Sequence, residues 1–364
     1  MENNKPMFCV IGAGHGGQAL AAHLSILGFD VSLYNRTYAR IKQIKALGGI
    51  NVEGEVKGFA KLSIVTDNIE EAIKGREIIM VVVPAYAHRS VAESMAQYLE
   101  DGQKIVLNPG RTGGALEVRT VLKEKNIKRD IIIAEAQTFI YASRSENPGQ
   151  VRIFRIKNAI PVAALPAYKT VEVLNKLRTA FPQFIPGDNV LSTGLDNIGA
   201  IFHPALTILN AGRIEASKGN FQYYVEGITP SISLILEEMD RERVAVADAL
   251  GIRSLTAREW LYIAYDAVGR TLYEAMQNNE GYKGIMAPPT LDTRYIEEDV
   301  PMSLVPIASM GDMFNVPTPT IKAIIHLACV MHSCDYWEKG RTVEKLGIAD
   351  LSVKDIMKLV IEGE

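Results

Sequence analysis

Two stretches in the second half of this 364-residue chain hold side chains that can move protons and grip acids. The first, Asn197-Ile198-Gly199-Ala200-Ile201-Phe202-His203-Pro204, sets an ionisable imidazole at the start of a helical region. His203 can exchange a proton near neutral pH, which an enzyme moving a hydride also requires. The second stretch, Thr290 to Pro301, is turn-rich and contains Asp292, Arg294, Glu297, Glu298 and Asp299. An arginine can clamp a carboxylate through two parallel N–H bonds, and an aspartate can fix an imidazole's tautomer and stabilise its protonated form. Taken alone, each stretch also fits a packed histidine or a solvated loop.

The first half supplies the reason to read them as chemistry. Val10-Ile11-Gly12-Ala13-Gly14-His15-Gly16-Gly17 follows the strand-like Met7–Ile11 and opens the helix-like Gln18–Leu27, closed by Gly28. A turn pressed against a pyrophosphate leaves no room for β-carbons at Gly12, Gly14 and Gly17, and the helix start faces the phosphates with free N–H groups. His15 and Gly16 lie in the same loop and are counted with it. The next strand, Asp30–Tyr34, delivers Asn35, Arg36 and Thr37 where a carboxylate would hold an adenosine ribose. An amide, a guanidinium and a hydroxyl suit a 2′-phosphate, so NADP(H) is expected over NAD(H).

These groups need a scaffold, and the pattern names one. Apolar runs at Ser63–Val65, Glu77–Val83, Lys104–Leu107 and Asp130–Ala134 alternate with amphipathic segments at Ile69–Lys74, Ala87–Leu99 and Ala115–Lys125. That alternation predicts an α/β, Rossmann-type, mostly parallel sheet domain. Ile50–Leu62, with Gly54 and Gly58, reads as a hairpin-rich excursion. Val151–Asn189 reads as two more strands, a helix over Tyr168–Ala180 and a closing segment. Ligands in such folds sit beyond the carboxyl ends of the strands. Pro84, Asn108 and Glu135 stand there as expected cofactor contacts, and Gln137 and Thr138 as expected substrate contacts. Beyond Leu191 the period becomes helical. Thr229-Pro230 offers an N-cap with proline at the first helical position, and Thr256 and Glu259 have capping-box spacing. The chain therefore divides into a dinucleotide-binding domain over 1–190 and an all-helical substrate and catalytic domain over 191–364.

Composition narrows the partners. A net charge of −3 with interspersed signs leaves no footprint for nucleic acid or an anionic membrane, and no apolar run approaches a membrane span. A cytoplasmic protein with small-molecule partners is expected. Three cysteines suit a reducing compartment better than a disulfide framework. His326, Cys329, His332 and Cys334 crowd together, but only His326 and Cys329 share a helical face, so packing is expected and no metal site.

With these residues in view, the chain resembles the opine dehydrogenases, the octopine, nopaline and carboxyethyl-amino-acid dehydrogenase family. The resemblance runs over nearly the whole length. It rests on the glycine fingerprint, Ala134–Arg144, Phe202-His203-Pro204 with Asn210–Glu215, and Tyr282–Ile285 leading to Arg294-Tyr295 and Glu298-Asp299-Val300-Pro301. It implies an NAD(P)-dependent oxidoreductase acting on CH–NH bonds, in which an α-keto acid such as pyruvate condenses with an amino acid and the imine is reduced. By the same resemblance His203 is the catalytic histidine, Asp299 its carboxylate partner and Arg294 a ligand of the substrate carboxylate. A homodimer is expected. Asn35-Arg36-Thr37 departs from the NAD-using members and is similar to the phosphate-binding turn of 6-phosphogluconate dehydrogenases. Two other readings compete. A ketopantoate-type keto-acid reductase would need a helical-domain lysine, where this chain offers His203, and an NADP(H)-sensing protein would have no use for the histidine, arginine and aspartate.

Overall fold

A computed structural model describes residues 5–364 and forms two compact units: the chain up to Thr193 together with Lys358–Glu364, and Gly194–Met357. The last seven residues group with the first unit, which a continuous 191–364 domain does not anticipate.

The first unit holds twelve strands among the described residues: β1 (Phe8–Ile11), β2 (Val31–Tyr34), β3 (Gly49–Gly54), β4 (Gly58–Lys61), β5 (Ile64–Thr66), β6 (Ile78–Val81), β7 (Lys104–Leu107), β8 (Ile132–Ala136), β9 (Tyr141–Asn147), β10 (Gln150–Ile156), β11 (Ile160–Leu165) and β12 (Phe184–Pro186). Eight form one sheet in the order β12-β11-β8-β7-β6-β1-β2-β5, parallel except where β11 runs antiparallel to β8. Residues of β1 and β6 are at most 1% exposed, the continuous burial that a sheet covered on both faces demands.

The chain leaves β1 for β2 and β5 on one side and returns to β6 on the other, so the strand order reverses beside β1. Register sets Ile11 level with Tyr34 and Val81, Val81 with Leu107, and Leu107 with Glu135. The carboxyl ends of five strands thus share one edge. Gly12, Asn35, Val82 and Asn108 tie the loops that leave it to neighbouring strands by backbone hydrogen bonds. This is the reversal point where open α/β sheets bind ligands.

A second sheet, β4-β3-β10-β9, departs from the sequence reading. The Gly49–Lys61 segment is a hairpin, as its glycines suggest, but β3 also pairs in parallel with β10. Tyr141–Asn147 was not legible as a strand because it is polar and buries only one face, at its N-terminal end. Gln18 latches this sheet to the glycine loop, donating to the Ala13 carbonyl at 3.0 Å and accepting from the Gly149 N–H at 2.8 Å.

Among the described residues of the second unit the regular elements are helices, joined by loops, with one isolated bridge between Gln222 and Met286. Thr229 caps the Pro230–Ala249 helix by accepting from the Ile232 N–H, and Thr256 and Glu259 close a reciprocal capping box on Ala257–Tyr265. Fully buried Arg243 is satisfied by Asp240, Ser254 and the Leu195 and Leu255 carbonyls. Among the described residues no helix is long and apolar enough to cross a membrane, and no group of three or more His, Cys, Asp or Glu could hold a metal ion. Cys329 accepts from the Tyr336 N–H, and His332 bonds the Tyr336 hydroxyl at 2.8 Å, so this cluster packs a helix end.

Candidate active site

In the first unit, the four loop glycines differ in what they make room for. A Cβ at Gly17 would stand 1.7 Å from the Gly12 carbonyl oxygen, and one at Gly12, whose φ is +109°, would stand 2.4 Å from the Val82 oxygen. At Gly16 it would meet the Phe139 ring at 2.8 Å. Gly12, Gly16 and Gly17 therefore serve the protein's own packing. A Cβ at Gly14 meets no protein atom within 4 Å, so packing among the described residues does not account for the glycine there. His15 opens the His15–Ile26 helix and accepts from the Ser145 N–H through Nδ1 at 2.9 Å, which leaves Nε2 as the donor.

The Asn35 carboxamide works within the fold. Its Oδ1 accepts from the Ala13 N–H and its Nδ2 donates to the Thr37 carbonyl, each at 3.0 Å, so the end of β2 holds the glycine loop in shape. Arg36 and Thr37 are exposed. Along the same edge Pro84 is half-buried ahead of a turn at Ala85–Ala87. Asn108 is 2% exposed; its Nδ2 donates to the Val106 carbonyl, and its Oδ1 has no hydrogen-bond partner among the described residues. Such a buried acceptor fits a carboxamide-bearing ligand. Glu135 was expected at the cofactor, yet its oxygens accept from the Ala115 N–H at 2.9 Å and the Thr193 hydroxyl at 2.8 Å. It caps the start of the Gly114–Glu124 helix, where a carboxylate is favoured. Gln137 donates its backbone N–H to Pro161, and the Thr138 hydroxyl accepts from Lys157 Nζ at 2.7 Å.

In the second unit, His203 sits on the Gly199–Leu209 helix, one turn after Gly199, where a Cβ would stand 3.1 Å from the imidazole. His203 Nδ1 lies 2.8 Å from Asp299 Oδ2, and Asp299 is 1% exposed. A carboxylate only accepts, so Nδ1 carries a hydrogen and Nε2 is left for proton exchange. The Tyr224 hydroxyl meets Nε2 at 3.1 Å. Burial, followed by the neighbouring tyrosines, pushes that hydroxyl well above the ordinary phenol range, so it stays a neutral donor and acceptor. Tyr295 stacks on the imidazole with centroids 4.3 Å apart, and Thr207 and Tyr223 both donate to the His203 carbonyl.

The 290–301 stretch is more helical than its turn-rich sequence suggests. Arg294–Glu297 forms a helical turn and Val300–Leu304 a π-helical one running into Val305–Met313. Asp299 stands between them, at the kind of backbone irregularity that recurs at functional sites. Arg294 does not join the histidine pair directly. Its Nε and Nη2 both donate to Glu298 Oε2, at 2.8 and 2.6 Å, with Glu298 1% exposed and the arginine side chain 63% exposed. The sequence reading missed Tyr295 and Glu298 as partners, although the spacing Arg294/Glu298 and Tyr295/Asp299 is that of side chains meeting on a helix. Tyr224 carried no such signal.

Comparison with known proteins fits this construction. Residues 186–332 match the NAD/NADP octopine/nopaline dehydrogenase alpha-helical domain, and residues 7–127 match the NAD-dependent glycerol-3-phosphate dehydrogenase N-terminus. The fold is similar to octopine dehydrogenase in complex with NADH and agmatine, with a TM-score of 0.82 and 21% identity over 99% of each chain. It is also similar to NADP+-bound yersinopine dehydrogenase, with a TM-score of 0.77 and 15% identity over 97% of this chain and 99% of that one. A glycine-looped parallel sheet and a helical unit with a carboxylate-paired histidine define a two-domain, NAD(P)H-binding oxidoreductase. An opine dehydrogenase of Arthrobacter sp. (strain 1C) is 42% identical over 354 residues, 97% of this chain and 98% of its own. The chain belongs to the opine dehydrogenase family, oxidoreductases acting on CH–NH bonds.

Proposed function

We propose that this protein joins an α-keto acid to the amino group of an amino acid, using NADP(H) in preference to NAD(H). The observation that carries the reading is the His203–Asp299 pair, a proton-exchanging nitrogen with its tautomer fixed by a buried carboxylate. The glycine loop, Gly14 above all, would hold the pyrophosphate, Arg36 and Thr37 the adenosine end, and Asn108 the carboxamide end of the cofactor. The bound cofactor supplies the hydride that reduces the imine.

His203, protonated against Asp299, donates from Nε2 to the keto oxygen, which leaves as water when the imine forms; in the oxidative direction neutral His203 accepts the proton. The substrate shares or displaces the Tyr224 hydroxyl at Nε2. Arg294, oriented by Glu298, offers its remaining N–H groups to a substrate carboxylate. The test is NADPH absorbance with pyruvate alone and with pyruvate plus amino acids, followed by product mass. Oxidation only with both substrates supports the proposal. Oxidation with the keto acid alone would instead make the protein a keto-acid reductase, and tight cofactor binding without turnover would make it a sensor.

The cofactor preference has its own test. Arg36→Ala is expected to weaken NADPH binding by about tenfold or more, the effect of one charge-assisted hydrogen bond to phosphate, and to leave NADH within about twofold. Fluorescence titration of each cofactor reads it. Equal losses for both would remove Arg36 from the 2′-phosphate.

A further inference from the structure

Resting on the reading above, we propose that Lys157 is a substrate-carboxylate ligand supplied by the dinucleotide-binding unit. Lys157 follows β10, and its backbone N–H is tied to the Ile140 carbonyl at 2.9 Å. This holds its side chain against Thr138, two residues past the carboxyl end of β8. That end lies on the shared edge, on the β6-β7-β8 side of the strand-order reversal, opposite the β2 side that delivers Arg36. A dinucleotide spanning the reversal with its adenosine at β2 leaves its reactive end on the side where Thr138 and Lys157 stand.

Charge makes the case specific. Among the described residues the Lys157 ammonium makes one hydrogen bond, to the Thr138 hydroxyl at 2.7 Å, and no ion pair. Burial first, and then the positive charge of Arg111 from the loop after β7, push it down to about 8. A half-buried ammonium beside a second cation is unfavourable by itself and becomes favourable when an anion arrives. The proposed reaction brings two anions, one carboxylate on the keto acid and one on the amino acid. In the second unit Arg294 is already paired with buried Glu298, so that pair adds no net positive charge. Of Lys157 and Arg294, Lys157 is the one with no carboxylate partner among the described residues.

The test compares Lys157→Gln with Lys157→Arg in the intact enzyme. With NADPH saturating, pyruvate is varied against a fixed amino acid chosen by the substrate-pair screen, then the reverse, and the amino acid is finally replaced by its decarboxylated amine. Lys157→Gln is expected to raise one KM by about tenfold to a hundredfold, with kcat within about threefold and NADPH affinity unchanged, and Lys157→Arg to restore most of the loss. A rise for the amino acid but not for its amine assigns Lys157 to the amino-acid carboxylate, and a rise for pyruvate with either amine assigns it to the keto acid. Both KM values within twofold of the parent, or equal damage in both variants, would overturn the proposal. Thermal-shift titration of the NADPH complex with pyruvate and with the amino acid reads the same contact without turnover. Absence of turnover in the parent enzyme would strike the opine reading, whereas binding of either acid that is weakened in Lys157→Gln would still uphold the lysine and unchanged binding of both would refute it.

Discussion

His203→Ala is expected to lower kcat by about a hundredfold to ten-thousandfold, the range spanned by removing a positioned acid–base group. NADPH affinity should stay within about twofold, because the glycine loop and Arg36 belong to the other compact unit and make no use of the imidazole. Asp299→Asn should follow the same direction with little change in shape. An amide at 299 can present its NH2 to Nδ1, and the imidazole then answers with the opposite tautomer, which places the hydrogen on Nε2 and removes that nitrogen as an acceptor. The comparison matters because alanine at 203 also removes the ring stacked on Tyr295, whereas asparagine at 299 keeps that ring in place. Steady-state kinetics in both directions, with cofactor titration alongside, decide it. A kcat loss matched by an equal loss of cofactor affinity would mean that His203 supports the fold rather than the reaction.

The sheet was legible because its strands are buried on both faces and so read as unbroken apolar runs, and the glycine loop because each missing side chain answers to a steric demand. β9 was not, since a half-exposed polar strand has the composition of a loop until its partner is known. Among the site residues, sequence separates those with chemistry from those without, but it does not say whether the chemistry faces a ligand or the protein. Glu135 and Asn35 stand at ligand positions, and each also bonds the protein itself: Glu135 accepts from the Ala115 N–H and the Thr193 hydroxyl, and Asn35 accepts from the Ala13 N–H and donates to the Thr37 carbonyl. Lys157 shows the reverse: it directly follows β10 in an unremarkable Ile156-Lys157-Asn158 stretch, and only the fold sets its ammonium on the Thr138 hydroxyl with no carboxylate partner among the described residues. Helical spacing carried more than was taken from it, because the i,i+4 spacing of Arg294 and Glu298 already implies that the guanidinium has an internal partner.

The loop glycines permit a prediction in which neighbouring positions separate folding from binding. Gly17→Ala should destabilise the first unit by about 3 kcal/mol or more, an overpacking cost that lowers its melting temperature by roughly 6–12 °C. Its Cβ would lie 1.7 Å from the Gly12 oxygen, a backbone atom that can yield only if β1 and the His15–Ile26 helix move apart. Gly14→Ala meets no such obstacle, since nothing lies within 4 Å of the new methyl and Gly14 already has a φ of −74°, open to any residue. Its melting temperature should stay within about 2 °C of the parent, while NADPH binding weakens by about tenfold or more as the methyl intrudes on the phosphates. Calorimetry and fluorescence titration on the two variants measure both quantities. Unchanged NADPH affinity in Gly14→Ala would show that the open space beside Gly14 is not where the pyrophosphate lies, and the cofactor would have to be sought elsewhere along the strand edge.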